Sequence, residues 1–221
     1  MIKNHIKNIF RDSEVNIDRS KYLCLDANER SIPFSKNQLS NIKKNITSNV
    51  IQSYPKDKKN VLKLISKSER VNTNFVSCFS GTGTALKYIF EALSYKENKI
   101  LSILPTYGMI KIYAKLYKLK IIKVLEPDII NSLKRNSLKN LAFIYFANPN
   151  QPTGTIIPYK RMMEFLRFAK KLKKIVVIDE AYIDFSKEKS LAYMVKKFSN
   201  LIVLKTFNLG FTISNFSKQS I

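Results

Sequence analysis

In the stretch IVVIDEAYIDF, residues 175–185, an aspartate closes a run of four β-favouring apolar residues and is followed by Glu180 and Tyr182. That spacing sets the Asp179 carboxylate at the exit of a buried strand, where an ionised acid needs a partner. A buried cation such as a protonated ring nitrogen supplies one, each charge favouring the other. Tyr182, three residues on, is then spaced to reach a phenolic oxygen on the same ring. The competing account makes Asp179 a helix cap or one arm of a loop salt bridge, and Glu180 a solvated or structural carboxylate.

Three other stretches place polar or aromatic groups after apolar runs. FSGTGTALKYIF reads as strand, glycine turn and helix start, with Thr82 and Thr84 as candidate caps. The free N–H groups of such a helix start, near Gly81 and Thr82, can hold a phosphate, although GTG is also an ordinary strand-to-helix turn. LPTYGM sets Tyr107 at a strand exit, either to stack on a flat ligand or simply to pack. FANPNQPTGT fixes an irregular loop, and its amides, Gln151 among them, either donate to a ligand oxygen or satisfy only their own loop.

The elements that must position these residues form a series. From about residue 75, apolar runs (NFVSCFS, KILSILP, KIIKVLE, LAFIYFA, IVVID, LIVLKTF) alternate with amphipathic segments such as TALKYIFEALSY, YGMIKIYAKLYK, YKRMMEFLRFAKKLK and SLAYMVKKF. Such a βαβ order predicts a three-layer α/β/α fold around a mainly parallel sheet. Ligands bind beyond the carboxyl ends of such strands, where the residues above lie. Residues 1–70 are more polar and irregular, and are expected to wrap the sheet or to belong to a smaller domain.

Composition limits the remaining classes. The 221 residues carry 39 basic and 16 acidic side chains, a net charge of +23, with 45% hydrophobic residues. The lysines are spread evenly, without a basic block, which favours compositional drift over a nucleic-acid surface. No apolar run reaches the ~20 residues of a membrane span and the start lacks a secretory h-region, so a cytoplasmic location is expected. Cys24 and Cys78 lack a CxxC context and are expected to be reduced and buried, while a single histidine, His5, excludes a multi-histidine metal site.

Taken in order, LDANE, YP, GTGTAL, PTYGM, NPNQPTGT, VIDEAYIDF and LIVLKTF resemble the histidinol-phosphate aminotransferase branch of the fold-type-I pyridoxal-phosphate enzymes, from about Leu25 to Thr206. The resemblance implies pyridoxal 5′-phosphate as cofactor, with Asp179 on the pyridinium nitrogen and Tyr182 on the phenolic oxygen. It implies Tyr107 stacked on the ring and Gly81 and Thr82 on the phosphate. Gln151 stands where the family usually has an Asn that contacts the phenolic oxygen. Tyr54 would reach the phosphate of a neighbouring subunit, implying a homodimer, and Asn28 and Glu29 would lie beside a pocket for small-molecule amino donors and acceptors.

The pattern breaks after LIVLKTF. The family continues with Ser-Lys and an Arg eight residues beyond the Lys, whereas this chain has Asn208, Leu209 and Ser217. Leucine supplies no amine for the Schiff base or for proton transfer. Lys205 and Lys218 are expected to be surface lysines. The expected organisation is an N-terminal segment, 1–35, as a remnant of the small domain, and an incomplete cofactor-binding large domain, 36–221. Little or no turnover is expected. A non-catalytic remnant and a basic nucleic-acid-binding protein are the alternatives.

Overall fold

Alternation along the apolar runs decides how the sheet is covered. In the computed structural model, which describes residues 33–54, 58–94, 98–125, 129–135, 138–206 and 211–214 with Ile9, Asp18, Lys21 and Tyr22 besides, seven strands form one sheet. They are β1 (Val76–Cys78), β2 (Lys99–Ile103), β3 (Lys120–Val124), β4 (Leu141–Ala147), β5 (Val176–Asp179), β6 (Leu201–Lys205) and β7 (Phe211–Ser214), in spatial order β1-β7-β6-β5-β4-β2-β3. Pairing from β6 through β5, β4 and β2 to β3 is parallel, and β7 runs antiparallel between β1 and β6.

The helices are α1 (Lys36–Asn45), α2 (Ser48–Gln52), α3 (Lys58–Glu69), α4 (Thr82–Leu93), α5 (Met109–Leu116), α6 (Ile129–Arg135) and α7 (Tyr159–Lys171). One apolar layer joins α4 and α5 to the strand residues Phe143, Tyr145, Ala147, Val177, Ile202 and Leu204. The other joins α3, α6 and α7 to Ile144, Phe146, Val176, Ile178, Leu201 and Val203. Successive strand side chains therefore enter opposite layers, and the sheet is sandwiched as its continuous apolar runs predict. All seven residues of β4, an interior strand between β5 and β2, are buried.

The sheet's margins differ from its centre. Lys120 and Lys123 are exposed on the outer strand β3. At the other margin β1 is only three residues long, shorter than the apolar run that contains it, and is preceded by a 3₁₀ turn at Thr73–Phe75. Cys78 is exposed there, contrary to the expectation of a buried thiol, because only Val76 of this short edge strand faces the core. Cys24 and His5 lie outside the described residues.

One further local expectation changes. SLAYMVKKF forms a 3₁₀ turn at Ala192–Lys196 rather than an α-helix, with Ala192, Met194 and Val195 buried. The segment after β3 contains a short helix, α6, anchored by Ile129 and Leu133. Within residues 33–70, α3 packs into the core through Ile65, while α1 and α2 bury no residue.

Candidate active site

Parallel strands deliver their carboxyl ends to one rim, and most of the candidate residues gather there. Asp179 ends β5 opposite Ala147 of β4 and Leu204 of β6. By alternation with Val177, its side chain enters the layer that holds α4 and α5. The carboxylate is buried and accepts two hydrogen bonds, from the Tyr145 hydroxyl to Oδ2 at 3.0 Å and from the Ala181 N–H to Oδ1 at 3.1 Å. It caps no helix: the 3₁₀ turn that follows, Ile183–Phe185, has Tyr182 at its N-cap.

Burial pushes the Asp179 carboxyl up from 3.8 to about 6, against the two hydrogen bonds, which favour the anion. Among the described residues no Lys or Arg pairs with it. The Tyr145 phenol is raised well above its ordinary 10.0 by burial and by the Asp179 charge, so it stays protonated and donates. A dry carboxylate held by neutral donors is the chemistry that a protonated heterocycle completes.

Glu180, the next residue, enters the other layer and serves the scaffold. Its buried carboxylate accepts from Ser190 Oγ at 2.5 Å and from the Leu191 N–H at 2.7 Å, which fixes the segment before the Ala192 turn. Burial raises it from 4.5 to about 7, partly offset by Ser190, Leu191 and the nearby Lys205 charge. Lys205 is not a surface lysine: it is buried, and its Nζ lies 2.7 Å from Glu69 Oε1. The strand pattern that sends Leu204 toward Asp179 sends Lys205 to the opposite face.

The helix start after β1 departs from the expected caps. The N-cap of α4 is Gly81 itself, at φ 99° and ψ 157°, with no side-chain cap. That conformation is open to glycine and strained for other residues. Thr84 Oγ1 donates back to the Ser80 carbonyl at 3.1 Å instead of capping, and Thr82 is the first helical residue. The first backbone bond of the helix is Ala85 N–H to the Gly81 carbonyl at 3.2 Å, which leaves the N–H groups of Thr82, Gly83 and Thr84 outside the helical ladder. Tyr113 of α5 donates to the Gly83 carbonyl at 2.9 Å and ties this turn to the helix that follows Tyr107.

Tyr107 packs against the layer containing Tyr145 and Ala147. The loop after β4 is built by its asparagines. Asn148 Oδ1 accepts from the Ile157 N–H at 2.8 Å, and Asn150 Nδ2 donates to the Pro105 carbonyl at 2.9 Å, joining the two loops that carry Gln151 and Tyr107. Those two amides therefore serve loop structure. Gln151 and Tyr182 line one cleft with Pro149, Asn150, Pro152, Gly154, Ile156 and Phe185. Tyr54 is 95% exposed beyond α2. Asn28, Glu29, Asn208, Leu209, Ser217 and Lys218 lie outside the described residues.

Residues 23–212 match the family described as aminotransferase class I and II. The chain belongs to that family. Its cofactor is pyridoxal 5′-phosphate, and the donor set around Asp179 fits that group. Among relatives, this aminotransferase-family chain is 34% identical over 164 residues to a histidinol-phosphate aminotransferase of Brachyspira hyodysenteriae, covering 69% of this chain and 45% of the relative. It is 29% identical to a dihydroxyacetone phosphate transaminase of Campylobacter jejuni, covering 91% of this chain and 56% of that one. The fold matches the histidinol-phosphate aminotransferase of Clostridium acetobutylicum with a TM-score of 0.67 and 24% identity, over 80% of this chain and 56% of that one. It also matches the L-threonine-O-3-phosphate decarboxylase of Porphyromonas gingivalis with a TM-score of 0.68 and 18% identity, over 80% and 55% of the two chains. The chain spans about half the length of the curated relatives it matches. No described helix is long and apolar enough to cross a membrane.

Proposed function

We propose that this chain carries the pyridoxal-phosphate pocket of an aminotransferase of the histidinol-phosphate type, and that it holds the cofactor without a covalent link to lysine. The observation that supports this most is Asp179, a buried carboxylate on the α4–α5 face without a cationic partner among the described residues. The bound cofactor supplies an electron sink for amino-group transfer between an amino acid and a keto or aldehyde substrate.

The residues divide the work of holding that group. Asp179 keeps the proton on the ring nitrogen, and Tyr107 covers the ring face. Tyr182 and Gln151, which line one cleft, address the phenolic oxygen. The unladdered N–H groups of Thr82 and Gly83, after the Gly81 turn, hold the phosphate. Tyr54, almost fully exposed, is free of the core and fits a role across a homodimer contact. Asn28 and Glu29 belong beside the substrate on sequence grounds.

Leu209 stands at the position of the lysine that the family uses as amine and proton carrier. Lys205 faces away from the site, so it offers no replacement. Turnover by this chain is therefore negligible in this reading. Titration with pyridoxal 5′-phosphate, followed by absorbance and by keto-acid release from amino donors, tests both halves. Saturable binding without turnover is expected; no binding removes the first half, and steady keto-acid release removes the second.

A further inference from the structure

Tyr145 is fully buried on β4, and its hydroxyl donates to Asp179 Oδ2 at 3.0 Å. Its neighbours in the same layer include the apolar Phe143, Ala147, Val177 and Leu204, and Thr106 and Tyr107 lie close enough to act on its hydroxyl. A phenylalanine would fill the same space with no polar atom to satisfy, so packing alone does not account for the oxygen. With the Ala181 N–H on Oδ1 at 3.1 Å, the two donors fix the plane of the carboxylate.

We propose that Tyr145 is a positioning residue for the cofactor's ring nitrogen: its hydroxyl on Asp179 Oδ2 holds the carboxylate as an anion in one orientation, so that the proton shared with the ring resides on nitrogen. The inference rests on the reading of this site as a pyridoxal-phosphate pocket. An acid and a pyridine that share a proton choose between an ion pair and a neutral pair. Burial favours the neutral pair. A hydrogen bond to the carboxylate stabilises only the ionic one. Among the described residues, the titratable groups packed in this layer are Tyr145 from β4, Tyr107 ahead of α5, Tyr113 of α5 and Tyr117 just after it, all phenols, while Glu180, Lys205 and Glu69 form a separate cluster on the other face. Of the forces on Asp179, burial is the largest and the Tyr145 bond is the larger of the two that oppose it.

The test loads the full chain with pyridoxal 5′-phosphate carrying ¹⁵N in the ring and follows the nitrogen shift by NMR against pH. Wild-type protein is expected to keep the protonated-nitrogen shift through neutral pH. Tyr145→Phe should move the shift at neutral pH toward that of the unprotonated nitrogen, the ratio of proton on nitrogen to proton on Asp179 falling about 10- to 100-fold, the worth of one hydrogen bond to a charged group. A 3-fluorotyrosine at position 145, a stronger donor of nearly the same shape, should move the shift the other way, and serves if the Phe variant does not fold. Bound cofactor whose nitrogen shift at neutral pH is alike in wild type and variants overturns the inference and leaves the pocket assignment standing. Failure of the wild-type chain to bind the cofactor overturns the pocket assignment and the inference with it.

Discussion

Lys205 Nζ and Glu69 Oε1 lie 2.7 Å apart and close an ion pair between β6 and α3, on the face of the sheet opposite Asp179. Both side chains are 11% exposed. Lys205 is therefore expected to form no covalent bond with pyridoxal 5′-phosphate, and borohydride reduction followed by peptide mapping should leave its peptide unlabelled. Lys205→Met should cost about 3 kcal/mol by stranding Glu69 in the interior, with cofactor affinity unchanged. The denaturant midpoint and a cofactor titration read the two effects separately, and a labelled Lys205 would refute the assignment of faces.

The ligand-free protein should lose stability as pH rises through the acid range. Asp179 and Glu180 bind protons more tightly when folded, at about 6 against 3.8 and about 7 against 4.5. A raised carboxyl pKa contributes stability that is full below the unfolded value and lost as pH passes the folded value. The window is therefore about 4 to 6 for Asp179 and about 4.5 to 7 for Glu180. Each loss is about 3 kcal/mol at most. Asp179→Asn and Glu180→Gln should each flatten the slope of melting temperature against pH in its own window. A wild-type slope of opposite sign that both variants leave unchanged would contradict this.

Gly81→Ala should destabilise the fold by about 1–3 kcal/mol, because φ 99° with ψ 157° strains any residue with a Cβ. The turn presents the N–H groups of Thr82 and Gly83, so cofactor affinity should fall together with stability. Equilibrium unfolding and titration with pyridoxal 5′-phosphate measure both. Unchanged affinity would take the phosphate away from this turn.

Asn148→Ala should cost about 2 kcal/mol through the buried Ile157 N–H that it leaves without an acceptor. The loop that carries Gln151 returns to α7 at that point. Amide exchange at Ile157 should quicken, and cofactor binding should weaken although Asn148 does not address the ring. An Asn148→Ser variant, which keeps an acceptor, should recover part of the protection.

Much of this architecture was legible in the sequence because burial on both sides leaves continuous apolar runs. The strands from β2 to β6 and the rim that carries Asp179 follow from that pattern alone. Edge positions were less legible: β1 lies inside an apolar run, yet only Val76 faces the core, and Cys78 is exposed. The α4 cap was misread because threonine chemistry suggested a side-chain cap where backbone conformation at Gly81 decides the turn. Lys205 was misread because its partner, Glu69, is 136 residues away in sequence. Tyr145 passed as one more apolar strand residue. Its signal was a lone hydroxyl in LAFIYFA, two places before the residue that pairs with Asp179, and only the register between β4 and β5 gives that spacing meaning.

The lysines on β3 decide how this sheet meets others of its kind. A second copy that added its own β3 alongside would bring Lys120 and Lys123 against the same pair of ammonium groups. Growth by strand addition at this margin is opposed by like-charge repulsion, a guard that strong electrolyte would weaken.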